Sequence, residues 1–186
     1  MVLKIGYYPG CSLHGMSKSF DTSAQLVCRK LGIELRELPD WNCCGATSGH
    51  SVEPTTTLVL GARNLNLVTK SGLQAVTAPC AACYSNLKKA SLDLKEPQKR
   101  ELAQKLIGEK IEDIEVIHLM DVLAQPAVFE DLKSKITVRF KDLKVACYYG
   151  CLTVRPRHET QAADAENPQT LDNLLRLAGI ETKDWS

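Results

Sequence analysis

No run of apolar residues in this chain approaches the roughly 18 that a membrane-spanning helix needs. Neither sign of charge dominates: 23 Lys and Arg stand against 22 Asp and Glu, a net of +1. That balance excludes nucleic-acid or membrane-surface binding driven by bulk charge. The start, Met1-Val2-Leu3-Lys4-Ile5-Gly6, reads as a strand. It has neither the apolar stretch of about 7–15 residues nor the small-residue cleavage site of a secretory signal. The expected location is therefore cytoplasmic, where cysteines stay reduced and a disulfide framework is not expected. Eight cysteines are nevertheless present. With 186 residues, 44% of them hydrophobic, the chain can bury one good core or two small ones without covalent staples. Its cysteines point to chemistry instead.

Five of them keep fixed intervals: Cys11, Cys43-Cys44, Cys80 and Cys83, or C-x31-C-C-x35-C-x-x-C, with Gly45 after the doublet. Thiolate is the usual ligand of iron–sulfur iron, and five is one more than the four of an ordinary cluster. Adjacent cysteines rarely bind one zinc with good tetrahedral geometry. They can reach different irons of a larger group if the backbone turns between them.

Short apolar runs alternate with helical periodicity. Strands are expected over 3–8, 33–38, 74–78, 114–119 and 144–149. Helices are expected from Ser17 or Ser19 to about Leu31, from Glu53-Pro54 to about Gly72, after the Cys80–Cys83 turn, over 97–107, over 120–133 with a break near Pro126, and over 168–177. The alternation predicts an α/β fold, a parallel sheet with flanking helices. Each candidate ligand then follows a strand, so three loops bring five sulfurs to one sheet edge, where doubly wound folds bind ligands. Gly10 and Gly45 allow close backbone approach or positive φ. Cys80 and Cys83 open a helix, whose free amides favour thiolate.

Lys4-Ile5-Gly6-Tyr7-Tyr8-Pro9-Gly10-Cys11 is echoed by Lys144-Val145-Ala146-Cys147-Tyr148-Tyr149-Gly150-Cys151. Leu31-Gly32-Ile33-Glu34 is echoed by Ala178-Gly179-Ile180-Glu181, and Asp40-Trp41 by Asp184-Trp185. A second unit is therefore expected from Lys144, with Cys151 in the place of Cys11 as a candidate ligand.

Other readings stand beside these. Cys-x-x-Cys after a strand is also the thioredoxin pattern, though it leaves Cys11 and the doublet unexplained; structural zinc is a further alternative. Cys28 lies on an apolar helix face and reads as a core residue, and Cys147, inside a strand, reads as packing. His14 and His50 read as polar loop residues rather than ligands. Arg155, Arg157 and His158 follow Cys151 and suit either an anionic substrate or a solvated loop.

The pattern from Cys11 to Cys83 resembles the CCG cysteine-rich domain. Its wording is similar to the B subunit of heterodisulfide reductases in Tyr7-Tyr8-Pro9-Gly10-Cys11-Ser12, Cys43-Cys44-Gly45-Ala46, Ala78-Pro79-Cys80-Ala81-Ala82-Cys83, and Cys147 to Pro156. The resemblance implies a noncubane [4Fe-4S] cluster held by Cys11, Cys43, Cys44, Cys80 and Cys83, which also carry catalysis through it. It implies an oxidoreductase subunit that reduces or forms an organic disulfide by one-electron steps between two clusters. Electrons would come from a ferredoxin-like C subunit and a flavin-containing A subunit. The second doublet and second C-x-x-C are absent, so the expected division is a complete CCG domain over 1–143 and the start of another over 144–186. Ligands for a second cluster, and with them full disulfide chemistry, are expected to be missing. Two alternatives are an electron-transfer subunit of the kind serving lactate or glycolate oxidation or quinone-linked complexes, and a zinc-stabilised interaction module.

Overall fold

The structure, a computed structural model, describes residues 3–46, 53–140 and 142–184. It divides into two compact units, Met1–His118 and Leu119–Ser186. His50 and Trp185 lie outside the described residues.

The first unit is a parallel four-stranded sheet with helices around it. Its elements are β1 (Leu3–Tyr7), α1 (Gly10–His14), α2 (Lys18–Lys30), β2 (Ile33–Glu37), α3 (Pro54–Lys70), β3 (Ala75–Ala78), α4 (Ala81–Asp93), α5 (Pro97–Ile107) and β4 (Glu115–His118). The strand order is β2-β1-β3-β4, and every pairing is parallel. The strand order therefore changes direction between β1 and β3, with β2 added on one side and β3 and β4 on the other, the kind of point at which open α/β sheets leave a crevice beyond their carboxyl ends.

Local chemistry sets the boundaries. The α2 helix runs out at Gly32, which takes φ +67°, as Gly at such an end commonly does. The α3 helix begins where expected: Glu53 accepts the Thr55 N–H at 3.0 Å, and Pro54 occupies the first turn, where a missing N–H costs nothing. The one-turn α1, carrying Cys11, has too few residues to show periodicity and was expected as loop. The core lies where α3 and α4 meet the sheet, with Tyr8, Leu38, Leu65, Val68, Val76 and Leu87 all buried. Buried Val76, Thr77 and Ala78 suit a central parallel strand covered on both faces.

The second unit contains α6 (Leu119–Leu123), α7 (Pro126–Lys135), β5 (Lys144–Ala146), α8 (Cys151–Val154), α9 (Arg157–Thr160), α10 (Thr170–Leu177) and β6 (Glu181–Lys183). The break at Pro126 falls where expected. The β5 strand is shorter than the expected 144–149, because its parallel partner β6 offers only three residues. Cys147 therefore lies just beyond the strand rather than inside it, and Tyr148 is 71% exposed. The sequence repeat has a structural counterpart in a strand, a helix and a parallel strand in each unit. Gly32 and Gly179 both take positive φ before buried Ile33 and Ile180. Lys4 faces Glu34 at 4.0 Å and Lys144 faces Glu181 at 3.9 Å.

One close contact tests the α3–α4 packing. A Cβ on Gly61 would stand 2.5 Å from the Ala90 Cβ. Alanine in a helix interior gains about 1 kcal/mol over glycine, whereas overpacking a tight core costs about 1–3 kcal/mol. Gly61→Ala is expected to lower stability on balance, read as a lower denaturant midpoint with unchanged m-value.

Candidate metal centre

The ends of β1, β2 and β3 lead to Cys11, Cys43-Cys44 and Cys80 on one edge of the first unit. Beyond β1, Pro9 stops the strand and Gly10, at φ +66°, turns the chain into α1. A Cβ at Gly10 would lie 2.7 Å from the Cys83 sulfur, so only glycine lets this backbone pass so close to it. Beyond β3, Cys80 is the N-cap of α4 and Cys83 sits in its first turn.

Cys44 and Cys83 are buried, Cys80 is half-buried, and Cys11 and Cys43 are exposed. The Cys44 and Cys83 sulfurs lie 3.5 Å apart. Cys80 is drawn down to about pH 5, first by the Cys83 thiol and further by the amides of Cys83 and Ala82 and the Ser12 hydroxyl, against the opposing effect of burial. Cys44 falls to about pH 7, again chiefly through Cys83, with help from the Ala46 amide and Asn86. Cys83 moves the other way: turned toward Cys44 and Cys80, it is pushed far above the ordinary thiol range. Three crowded sulfurs thus share their protons rather than all carrying charge.

Tyr8 stands among them. Burial raises its pKa, and so do the nearby charges of Cys44, Cys83, Cys43 and Cys11; its hydroxyl donates to the Asn42 carbonyl at 2.7 Å. Asn86 donates to the Cys44 carbonyl at 3.1 Å, and buried His118 meets the Pro79 carbonyl at 3.1 Å, directly before Cys80. Sequence reasoning missed Asn86 and His118. Their only local signal is a polar residue shortly after Cys83 and another at the end of β4.

The donor set suits an iron–sulfur group. It is all thiol, it lies at an open helix end, and the buried Ser12 oxygen closes no well-formed hydrogen bond while lying against the Cys80 thiolate. Among the described residues no three His, Cys, Asp or Glu side chains converge as they would on a single ion. Cys28 is a core thiol, as expected, pushed up by burial to about pH 11. His14 is on α1 rather than in a loop; its ring packs against Trp41, and its Nε2 faces Glu37 at 3.1 Å.

In the second unit, Cys147, Tyr149, Cys151, Arg155 and Asp172 line a cavity of about 270 Å³. Arg155 is paired with Glu166 at 2.7 Å, and Arg157 donates to the Ala163 carbonyl at 3.2 Å. Cys147 is buried and held above the usual thiol range by burial and by Asp172.

Residues 5–88 match the CCG family, described as a cysteine-rich domain. The chain is 33% identical over 184 residues to the 8-methylmenaquinol:fumarate reductase membrane anchor subunit of Wolinella succinogenes, covering 97% of this chain and 64% of that protein. It is 30% identical over 189 residues to the B subunit of the ferredoxin/F(420)H(2)-dependent CoB-CoM heterodisulfide reductase of Methanosarcina acetivorans, covering 98% and 62%. The chain thus spans less than two thirds of the length of these relatives. A solved structure of a hypothetical protein from Helicobacter pylori superposes with a TM-score of 0.70 at 15% identity, over 98% of this chain and 33% of that one. It shares the fold.

The split among the sulfurs predicts their reactivity in metal-free protein. Because Cys80 is lowered to about pH 5, its alkylation rate rises through that pH and is level by neutrality, whereas Cys28 stays unreactive there. Between pH 5 and the ordinary thiol pKa the unfolded chain holds the extra proton, so this group's contribution to stability grows as pH rises and is lost as pH falls through 5. Mass-spectrometric labelling across pH checks the order; Cys80 reacting only above pH 8 contradicts it.

Proposed function

We propose, from the match of residues 5–88 to the CCG cysteine-rich domain, that the chain is an iron–sulfur subunit that passes single electrons to an organic disulfide/dithiol couple. The carrying observation is the meeting of Cys44, Cys80 and Cys83 beyond the strand ends, with Cys11 and Cys43 around the same tyrosine. In this reading the ligands are Cys11, Cys43, Cys44, Cys80 and Cys83, and the group they hold is a noncubane [4Fe-4S] cluster.

A bound iron–sulfur group supplies one-electron chemistry tuned by its hydrogen bonds and exposure. The chain's own residues arrange the rest. Cys44 and Cys83 hold from the buried side, and the amides opening α4 offset the negative charge of the thiolates. Tyr8 and Trp41, ring centroids 5.3 Å apart, help keep water from that side. Cys11 and Cys43 lie on the exposed side, where a substrate or partner can approach.

The heterodisulfide reductase relative supports the disulfide reading. A disulfide needs two electrons and two protons to become two thiols, so the electrons must arrive in two steps. As partners we propose the ferredoxin-like and flavin-containing subunits of such a complex, and as location the cytoplasm. The division into units of 1–143 and 144–186 remains our reading of the repeat. Cys151 and Arg155, on the cavity of the second unit, are its candidate ligand and substrate contact, with Arg157 nearby.

A second reading has its own support. The Wolinella relative is named for 8-methylmenaquinol and fumarate, which favours electron transfer in a quinol-linked complex. Among the described residues no helix is long and apolar enough to cross a membrane.

Anaerobic reconstitution followed by iron and sulfide analysis and EPR tests the shared premise. We expect about four irons per chain, lost in Cys43→Ser and in Cys44→Ser. Zinc alone, or no metal, rejects it in favour of an interaction module. Turnover of an organic disulfide by the loaded protein with a viologen donor supports the first reading; electron exchange with a menaquinol analogue alone supports the second.

A further inference from the structure

The cysteine doublet sits in a stretch with no regular secondary structure. Residues 38–46 form neither strand nor helix, yet Cys44 is only 3% exposed. A buried loop must find partners for its backbone outside any ladder. Here they come from side chains. Asn64, on α3 and 1% exposed, accepts the Asn42 N–H on Oδ1 at 3.0 Å and donates from Nδ2 to the Asn42 carbonyl at 3.0 Å. One side-chain amide thus grips both backbone groups of the residue before the doublet, as a neighbouring strand would.

The surroundings reinforce that grip. Tyr8 donates to the same carbonyl. Asn42's own amide donates to the Leu60 carbonyl at 3.2 Å, back onto α3. Arg63, next to Asn64, donates to Asn42 Oδ1 at 2.9 Å and to the Asp40 carbonyl at 2.8 Å. Asp40 itself is held at φ +53°, a conformation a non-glycine residue keeps only when its surroundings impose it.

We infer that Asn64 is a positioning residue for Cys43 and Cys44, fixing the loop so that the Cys44 sulfur reaches Cys83. It acts on the thiols through Asn42 and need not touch any metal. The inference deepens the iron–sulfur reading and rests on it only for its purpose; the clamp itself is a property of the metal-free protein. Replacing Asn64 by leucine, of similar size, leaves the Asn42 N–H without a partner and its carbonyl with Tyr8 alone. The loop then opens more often, while the rest of the unit keeps its packing.

The test follows each thiol separately. Metal-free protein and its Asn64→Leu variant are treated with an alkylating reagent under anaerobic native conditions, and modification is read residue by residue by mass spectrometry. Cys44 is expected to react about tenfold faster in the variant, the scale of leaving one buried donor, the Asn42 N–H, unpaired, while Cys28 keeps its wild-type rate. An unchanged Cys44 overturns the inference. So does equal acceleration of Cys44 and Cys28, which means general loosening. If Asn64→Leu does not fold, Asn64→Asp, which keeps the acceptor and loses the donor, is judged by the same comparison. Iron loading of the wild type is scored independently. Protein that takes no iron yet shows selective labelling of Cys44 keeps the clamp and rejects the iron–sulfur reading.

Discussion

The switch in strand order between β1 and β3 governs where the thiols can be. With strand order β2-β1-β3-β4, the helices that follow β1 and β3 diverge, and the loops leaving those strands border the gap. Cys11 and Cys80 follow those two strands, and the doublet arrives from β2 beside them. Gly10 lets the first loop run against the Cys83 sulfur, and the Pro79 carbonyl is fixed by His118 from β4. Each strand of the sheet thus leads to one of these thiols or carries a residue that braces the chain beside one.

The crowding has an electrostatic consequence. Burial alone would raise all three inner thiols, as it raises Cys28. Instead Cys80 and Cys44 go down and Cys83 goes up, because one retained proton serves two neighbouring sulfurs. Cys83 is the group that keeps its proton, and a metal held by thiolate would release protons on binding. A bound cation reverses the local balance that holds that proton. The arrangement thus keeps one proton among the three sulfurs of the metal-free protein.

Much of this was legible in the sequence because its punctuation is local. Gly32 and the Glu53-Pro54 start act within one turn of their helices, and Pro9 and Pro79 close strands directly. The spacing of Cys11, Cys43, Cys44, Cys80 and Cys83 placed each after a strand, where the structure has it. Which cysteines are buried was not legible, because that depends on which loop lies beneath another. Nor was Asn64: it sits between Leu58, Ala62, Leu65 and Val68 on a helix that reads as core, and its partner is 22 positions away. The one-turn α1 and the three-residue β6 are too short for any period to register. In each case the missing information is a contact distant in sequence.

The cross-strand pairs Lys4–Glu34 and Lys144–Glu181 carry a different message. Both are exposed ion pairs, the kind that contributes about 0–1 kcal/mol, too little for either unit to depend on. Their recurrence at the same register, beside a left-handed glycine and a buried isoleucine in each unit, shows two segments laid out on one local pattern rather than two solutions to stability. In that shared pattern Cys151 stands where Cys11 does, with Cys147 in the place of Tyr7 and Tyr149 in the place of Pro9.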